Sequence, residues 1–150
     1  MKKISKKKRY LVIIYFIILI FINIKVISVA FVFGNSMYPT LYDKQIVLLH
    51  KWGYEPRIND VVIIHDNELK TNIIKRIVAI DGDHLIIKDN QLIVNDEIIE
   101  GYQGITSLYD LDIYIPNNSI FVIGDNFEES TDSRSLGVFN YHQILGKVIY

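Results

Sequence analysis

The sequence contains no cysteine. That excludes a disulfide framework, a thiolate nucleophile and a zinc–thiolate site, while fitting either redox compartment. Its four histidines, His50, His65, His84 and His142, fall in no triad or metal-ligand spacing, so neither a metal nor a cofactor is expected. Internal repeats and low-complexity linkers are also missing, and 150 residues suit one domain plus an N-terminal segment. Acidic residues are absent from the first nine positions, which hold Lys2, Lys3, Lys6, Lys7, Lys8 and Arg9. Removing those six from 16 Lys and Arg leaves 10 against 17 Asp and Glu, so an acidic body of −7 follows a basic tail. A body of that charge argues against nucleic-acid binding, which needs cations to neutralise phosphates.

What the sequence does have is apolar residues, 50% of the chain, with the excess at the N-terminus. Leu11–Ile24 carries no charge, Lys25 follows, and a second apolar run extends from Val26 to Phe33. A soluble core helix is disfavoured because the segment is apolar on every face. A cleavable secretory signal fits the basic start, the apolar run and the small-x-small triplet Ser28-Val29-Ala30. An uncleaved anchor fits if Arg9 and Lys25 extend to opposite interfaces, since about 20 residues are needed to span the hydrocarbon. The anchor is the reading adopted: a basic cytoplasmic tail over 1–9, a transmembrane anchor over 10–29, and an extracytoplasmic domain over 30–150, oriented by the positive-inside rule.

Beyond the anchor, short β-branched runs dominate: Ala30–Phe33, Gln45–His50, Asp60–His65, Ile73–Ile80, His84–Lys88, Gln91–Val94, Ile120–Ile123 and Gly146–Tyr150. Asp89-Asn90 between two of them is a hairpin signal. Gly101–Pro116, rich in Tyr, Asp and Gly, is expected to be an exposed loop. The spacing predicts a mainly β fold, a folded, barrel-like antiparallel domain behind the single N-terminal transmembrane helix.

Three stretches carry chemistry. Gly34-Asn35-Ser36-Met37-Tyr38-Pro39-Thr40-Leu41 sets a serine at the exit of the apolar segment. Ile73-Ile74-Lys75-Arg76-Ile77-Val78 embeds a lysine in an apolar run. Gly124-Asp125-Asn126 is followed by Ser130, Asp132, Ser133 and Arg134. In that order the three resemble the type I signal peptidases, membrane-bound serine peptidases with a Ser-Lys dyad, over nearly the whole chain. A serine hydroxyl needs a base beside it. With no histidine suitably placed, Lys75 is the candidate, provided burial among Ile73, Ile74, Ile77 and Val78 depresses its pKa.

The resemblance implies the remaining roles. Ser36 would attack the scissile carbonyl and form an acyl-enzyme, and Lys75 would take its proton and later activate water. Ser130 would orient Lys75 by a hydrogen bond. Asp132 and Arg134 would form an ion pair supporting the loop, with Asp125 nearby and Arg76 following the base. The Ser36 N–H would hold the oxyanion. The position two before the nucleophile, a hydroxyl residue in some members, is Gly34 here. Met37, Leu41 and Ile74 would line the pocket for the residue before the cut, and Val32, Ala30 and Ile74 that for the third residue before it. The substrates implied are secretory preproteins with small residues at those two positions, met at the lipid bilayer of the cell membrane. Phe127 departs from the arginine often found after Gly-Asp-Asn, and Glu128 and Glu129 follow it. Members usually run on past a strand such as Gly146–Tyr150, which implies a short member or a truncated sequence. Two alternatives stay open: a self-cleaving Ser-Lys peptidase of the SOS-repressor type, and an inactive paralogue acting as a binding subunit.

Overall fold

The structure of the protein, a computed structural model, describes residues 6–51, 53–107 and 110–150, with side chains over 17–25 outside the description. Lys2 and Lys3 of the basic tail also lie outside the described residues. Helix α1 runs over Lys6–Val26 and passes directly into strand β1, Ile27–Phe31. The remaining strands are β2 (Ile46–His50), β3 (Val61–Asp66), β4 (Thr71–Ile80), β5 (His84–Lys88), β6 (Gln91–Val94), β7 (Glu97–Ile98), β8 (Leu111–Tyr114), β9 (Ser119–Ile123), β10 (Phe139–Asn140) and β11 (Ile144–Ile149). A short helix α2, Ser133–Leu136, lies between β9 and β10.

The mainly β expectation holds, and two parts of the fold reading are corrected. Among the described residues, no helix is long and apolar enough to cross a membrane. Helix α1 begins with Lys6, Lys7, Lys8 and Arg9 and meets Lys25 near its end. The charge-free run between Arg9 and Lys25 rises only about 22 Å as a helix, against about 30 Å of hydrocarbon. The expected transmembrane helix over 10–29 is also cut short by strand formation. Ile27, Ser28 and Val29 pair with His50, Leu49 and Leu48 of β2.

The second correction concerns the barrel. The described strands form two open antiparallel sheets, not a closed one. The larger has the order β1-β2-β11-β3-β4-β9-β10 and the smaller β7-β6-β5-β8. Strands β1 and β10 end the larger sheet at opposite edges, and β10 has only two residues with which to continue the pairing.

Three apolar clusters hold the sheets. One joins them, with Val78, Ala79, Phe121 and Ile123 of the larger sheet packed with Leu85, Ile87, Leu92 and Val94 of the smaller. A second lies over β1, β2, β3 and β11 and is closed by Val32, Met37 and Leu41. The third gathers Val62, Ile64, Ile77, Ile120, Val122 and Phe139. Gly101–Pro116 is not simply an exposed loop. Tyr102, Ile105 and Ile115 are buried in the cluster between the sheets, and β8 pairs with β5. Tyr102 and Ile105 are single anchors without a period, and the alternation of Leu111, Ile113 and Ile115 is too short to stand out among the Tyr, Asp and Gly around it.

Candidate active site

Ser36 lies in the turn that follows β1. Gly34 enters that turn at φ +82, a left-handed conformation that glycine adopts without a Cβ penalty, and its N–H donates to Asp43 Oδ1 at 2.9 Å. The Tyr38 N–H donates to the Asn35 carbonyl at 3.0 Å and the Leu41 N–H to the Met37 carbonyl at 2.9 Å. Met37 and Leu41 are fully buried and fasten the turn to the cluster beneath it. The serine thus sits on a short loop held by apolar anchors on its C-terminal side.

Lys75 comes from the middle of β4, where β3 pairs on one side and β9 on the other. It is opposite Val62 and only 4% exposed. Its Nζ donates to Ser36 Oγ at 2.7 Å and to the Ile74 carbonyl at 2.9 Å. Burial lowers its pKa from the usual 10.5 to about 8. Asp132 opposes that shift, Arg134 assists it, and Asp125 opposes it. Burial dominates because an ammonium loses its hydration there. A lysine near neutrality beside a serine hydroxyl can exchange a proton with it.

The loop after β9 surrounds the pair. Asp132 is completely buried and its carboxylate accepts five hydrogen bonds. They come from the Gly124 N–H at 2.9 Å, the Ser130 hydroxyl at 2.6 Å, and the backbone N–H, Nε and an Nη of Arg134 at 3.2, 2.8 and 2.9 Å. Its side chain also caps α2. Arg134 in turn donates to the carbonyls of Thr106, Phe127 and Ser130. The Ser133 hydroxyl accepts from the Val122 N–H at 3.0 Å, tying α2 to β9. A second ion pair is bidentate: Arg76 Nε and Nη2 donate to the two oxygens of Asp125 at 2.8 and 2.6 Å. Arg76 also reaches the Asn59 carbonyl and the Thr40 hydroxyl, so it links β4 to the serine loop.

These bonds distribute the expected residues unevenly. Ser36 and Lys75 meet directly, and Asp132 meets Arg134. Asp125 belongs with Arg76 rather than with Asp132 and Arg134. The Ser130 hydroxyl donates to Asp132, whereas Lys75 donates to Ser36 and Ile74, so the expected Ser130–Lys75 hydrogen bond is replaced by contact with the buried carboxylate. Ala30, Val32, Met37, Leu41 and Ile74 come together in one cluster. Val32, Met37 and Leu41 form its buried floor, and Ala30 and Ile74 are the members that keep some surface. Three of the four histidines are engaged elsewhere, His65 with Asn72, His84 with Asp112 and the Tyr114 ring, and His142 with Asn140, and His50 ends β2 opposite Ile27 and Lys147.

Four contributors were not assigned from sequence. Gly124 packs so closely that a Cβ there would lie 2.1 Å from Ser130 Oγ and 2.5 Å from the Ser36 carbonyl oxygen. Asn126 donates its N–H to the Ser36 carbonyl and its side-chain amide to the Asn35 carbonyl. Thr40 meets Arg76. Phe127 stacks on Tyr102 with centroids 5.4 Å apart and packs the loop onto the inter-sheet cluster. The Gly-Asp-Asn triplet was a visible signal for the first two, but its partners are long-range and no local pattern names them.

The family model described as "Signal peptidase, peptidase S26" matches residues 6–150. The chain belongs to the signal peptidase family, peptidase S26. Among curated relatives, signal peptidase I U of Bacillus subtilis (strain 168) is 30% identical over 94% of this chain and 87% of its own length. Signal peptidase IB of Staphylococcus aureus (strain N315) is 32% identical over 90% of this chain and 82% of its own. A solved signal peptidase I from Enterococcus faecalis V583 superposes with a TM-score of 0.55 at 19% identity, covering 64% of this chain and 98% of that one. At that identity the superposition speaks for a shared fold. Membership makes this S26 peptidase a hydrolase of the serine peptidase class.

Proposed function

We propose that this peptidase removes N-terminal signal peptides from secretory preproteins through a Ser36–Lys75 dyad and an acyl-enzyme. The observation that carries the reading is the 2.7 Å separation of Lys75 Nζ and Ser36 Oγ at a lysine only 4% exposed. With the amine neutral, the same contact runs in reverse and Oγ–H donates to the Nζ lone pair. Oγ attacks the scissile carbonyl carbon as its proton passes to Nζ, and the negative oxygen is met by the Ser36 N–H. Collapse breaks the C–N bond, and the leaving amine takes the proton from Nζ. Lys75 then deprotonates a water, the hydroxide attacks the ester carbonyl, the C–Oγ bond breaks to release the signal peptide, and Nζ returns the proton to Oγ.

Asp132 and Arg134, with Ser130, hold the wall of the site, the Arg76–Asp125 pair fastens β4 to the loop after β9, and Arg76 reaches the serine loop through Thr40. The substrate lies extended along strand edges, where backbone hydrogen bonds supply affinity and shallow pockets supply selectivity. Ala30 and Ile74 form those pockets over the floor of Val32, Met37 and Leu41, which suits small residues at the first and third positions before the cut.

The reaction takes place at a lipid surface. The outer row Val29, Leu48 and Ile149 and the adjacent pair Phe31 and Ile46 are exposed and in register across three strands, and Phe33 beyond them is 81% exposed. Contiguous apolar surface of this kind marks an interaction face. It adjoins the end of α1, whose first turn is basic and attracted to anionic headgroups.

The test is incubation of the full chain with a preprotein in lipid vesicles, followed by N-terminal sequencing of the product. Wild type should yield one cut after a small residue, and Ser36→Ala should yield none. Uncut preprotein with wild type would favour an inactive binding subunit.

A further inference from the structure

We propose that Asn126 is a positioning residue that aims the backbone N–H of Ser36 at the reacting carbonyl oxygen. The inference rests on the reading of Ser36 as nucleophile and adds a role that the pairing of Ser36 with Lys75 does not supply.

A peptide group is planar, with its C=O and N–H at opposite ends of one rigid unit. The Asn35 carbonyl and the Ser36 N–H belong to the same plane, so whatever holds the carbonyl also aims the N–H. That carbonyl accepts two hydrogen bonds, from the Tyr38 N–H at 3.0 Å and from Asn126 Nδ2 at 3.2 Å. Both of its lone pairs are therefore engaged. The next plane is gripped by the same residue, since the Asn126 N–H donates to the Ser36 carbonyl at 3.0 Å. Asn126 thus holds the peptide planes on both sides of the nucleophile.

Two neighbouring features tighten the hold. Gly124 approaches the Ser36 carbonyl so closely that a Cβ at 124 would lie 2.5 Å from it, which closes the space on that side. Gly34 supplies no side-chain hydroxyl to the oxyanion, and nothing lies within 4 Å of where its Cβ would be. The aim of the backbone donor is then correspondingly important. Donation into the Asn35 carbonyl also polarises the plane and strengthens its N–H as a donor.

Asn126→Asp and Asn126→Ala both remove the amide donor and keep the backbone bond to Ser36. Three quantities separate aiming from general support: kcat and KM on a peptide substrate, affinity for a peptide aldehyde, and affinity for the same peptide ending in an amide. The aldehyde forms a hemiacetal with Ser36: the Oγ–C bond forms, the serine proton ends on the former aldehyde oxygen, and that oxygen sits where the oxyanion develops. Both variants should lower kcat by about 10- to 100-fold, less than outright loss of an oxyanion donor, with aldehyde affinity falling in parallel. KM and amide-peptide affinity should stay within about twofold of wild type. An unchanged kcat, or a loss carried wholly by KM and amide-peptide affinity, would overturn the role. Ser36→Ala, assayed beside them, distinguishes the two levels: cleavage by that variant would remove the nucleophile reading, whereas its inactivity alongside a fully active Asn126→Ala would remove only the role of Asn126.

Discussion

Burial does two opposite things to Lys75. It lowers the pKa to about 8, which makes a base available near neutrality, and it destabilises the folded chain while the amine is charged. The folded pKa lies below that of the unfolded chain, so the penalty is fully present below pH 8 and fades as pH rises from about 8 to 10.5. Stability should therefore climb through that window by up to roughly 3 kcal/mol. Lys75→Met should be inactive yet more stable at pH 7 by roughly 1–3 kcal/mol, as seen by urea unfolding, and its stability should not climb in that window. Gly124→Ala tests geometry instead. The added methyl would meet the Ser130 hydroxyl and the Ser36 carbonyl, and the backbone must shift. Turnover should fall on the order of 10²-fold, with a stability loss of only about 1–3 kcal/mol in thermal unfolding.

The loop after β9 is an element organised by one carboxylate. Asp132 is buried with no exposure and pairs with an Arg134 side chain only 8% exposed. Asp132→Ala would leave that guanidinium uncompensated and should cost about 3–5 kcal/mol, read from chemical denaturation. At this scale the sequence was legible where the signal is local. The Asp89-Asn90 turn has φ of 50 and 60 at its two residues, the geometry of a two-residue hairpin. Lys75 in an apolar strand and the Ser36 turn were equally readable, because each is a short-range contrast of polarity. Less visible were the partners of Asp125 and Ser130, which depend on how β4, the serine loop and the β9 loop converge. The β8 strand was hidden because it is only four residues long: Leu111 and Ile113 are half-buried and Asp112 and Tyr114 exposed, an alternation too brief to stand out from the loop around it. The end of the apolar helix at Val26 was likewise hidden, since Ile27–Phe31 is as apolar as the helix before it but is drawn into the sheet by β2.

At the scale of the whole molecule, two open sheets share one core, and an apolar outer face continues from the end of α1. The Lys75 strand lies inside the larger sheet, so Lys75 is held on a strand, paired with Val62 of β3 and next to Arg76, which pairs with Ile123 of β9, rather than on a loop. The outer face predicts a separable phenotype. Ile46→Ser with Leu48→Ser removes exposed apolar groups whose burial in lipid would contribute roughly 1.5–3 kcal/mol each. Cleavage of a vesicle-bound preprotein should fall by at least about tenfold, the effect of 1.4 kcal/mol, while cleavage of a soluble peptide stays near wild type. Equal loss on both substrates would instead place those residues in the fold or the peptide site.

The measurement that bears most directly on the Ser36–Lys75 assignment is the pH dependence of kcat/KM on a peptide with alanine at the first and third positions before the cut. Activity should rise about tenfold per pH unit on the acidic side and level off above an apparent pKa near 8, as Lys75 loses its proton. Lys75→Arg should abolish cleavage across the range, because a guanidinium stays charged. An acidic limb near the ordinary histidine value of about 6.5, displaced when a histidine is replaced, would contradict a lysine base.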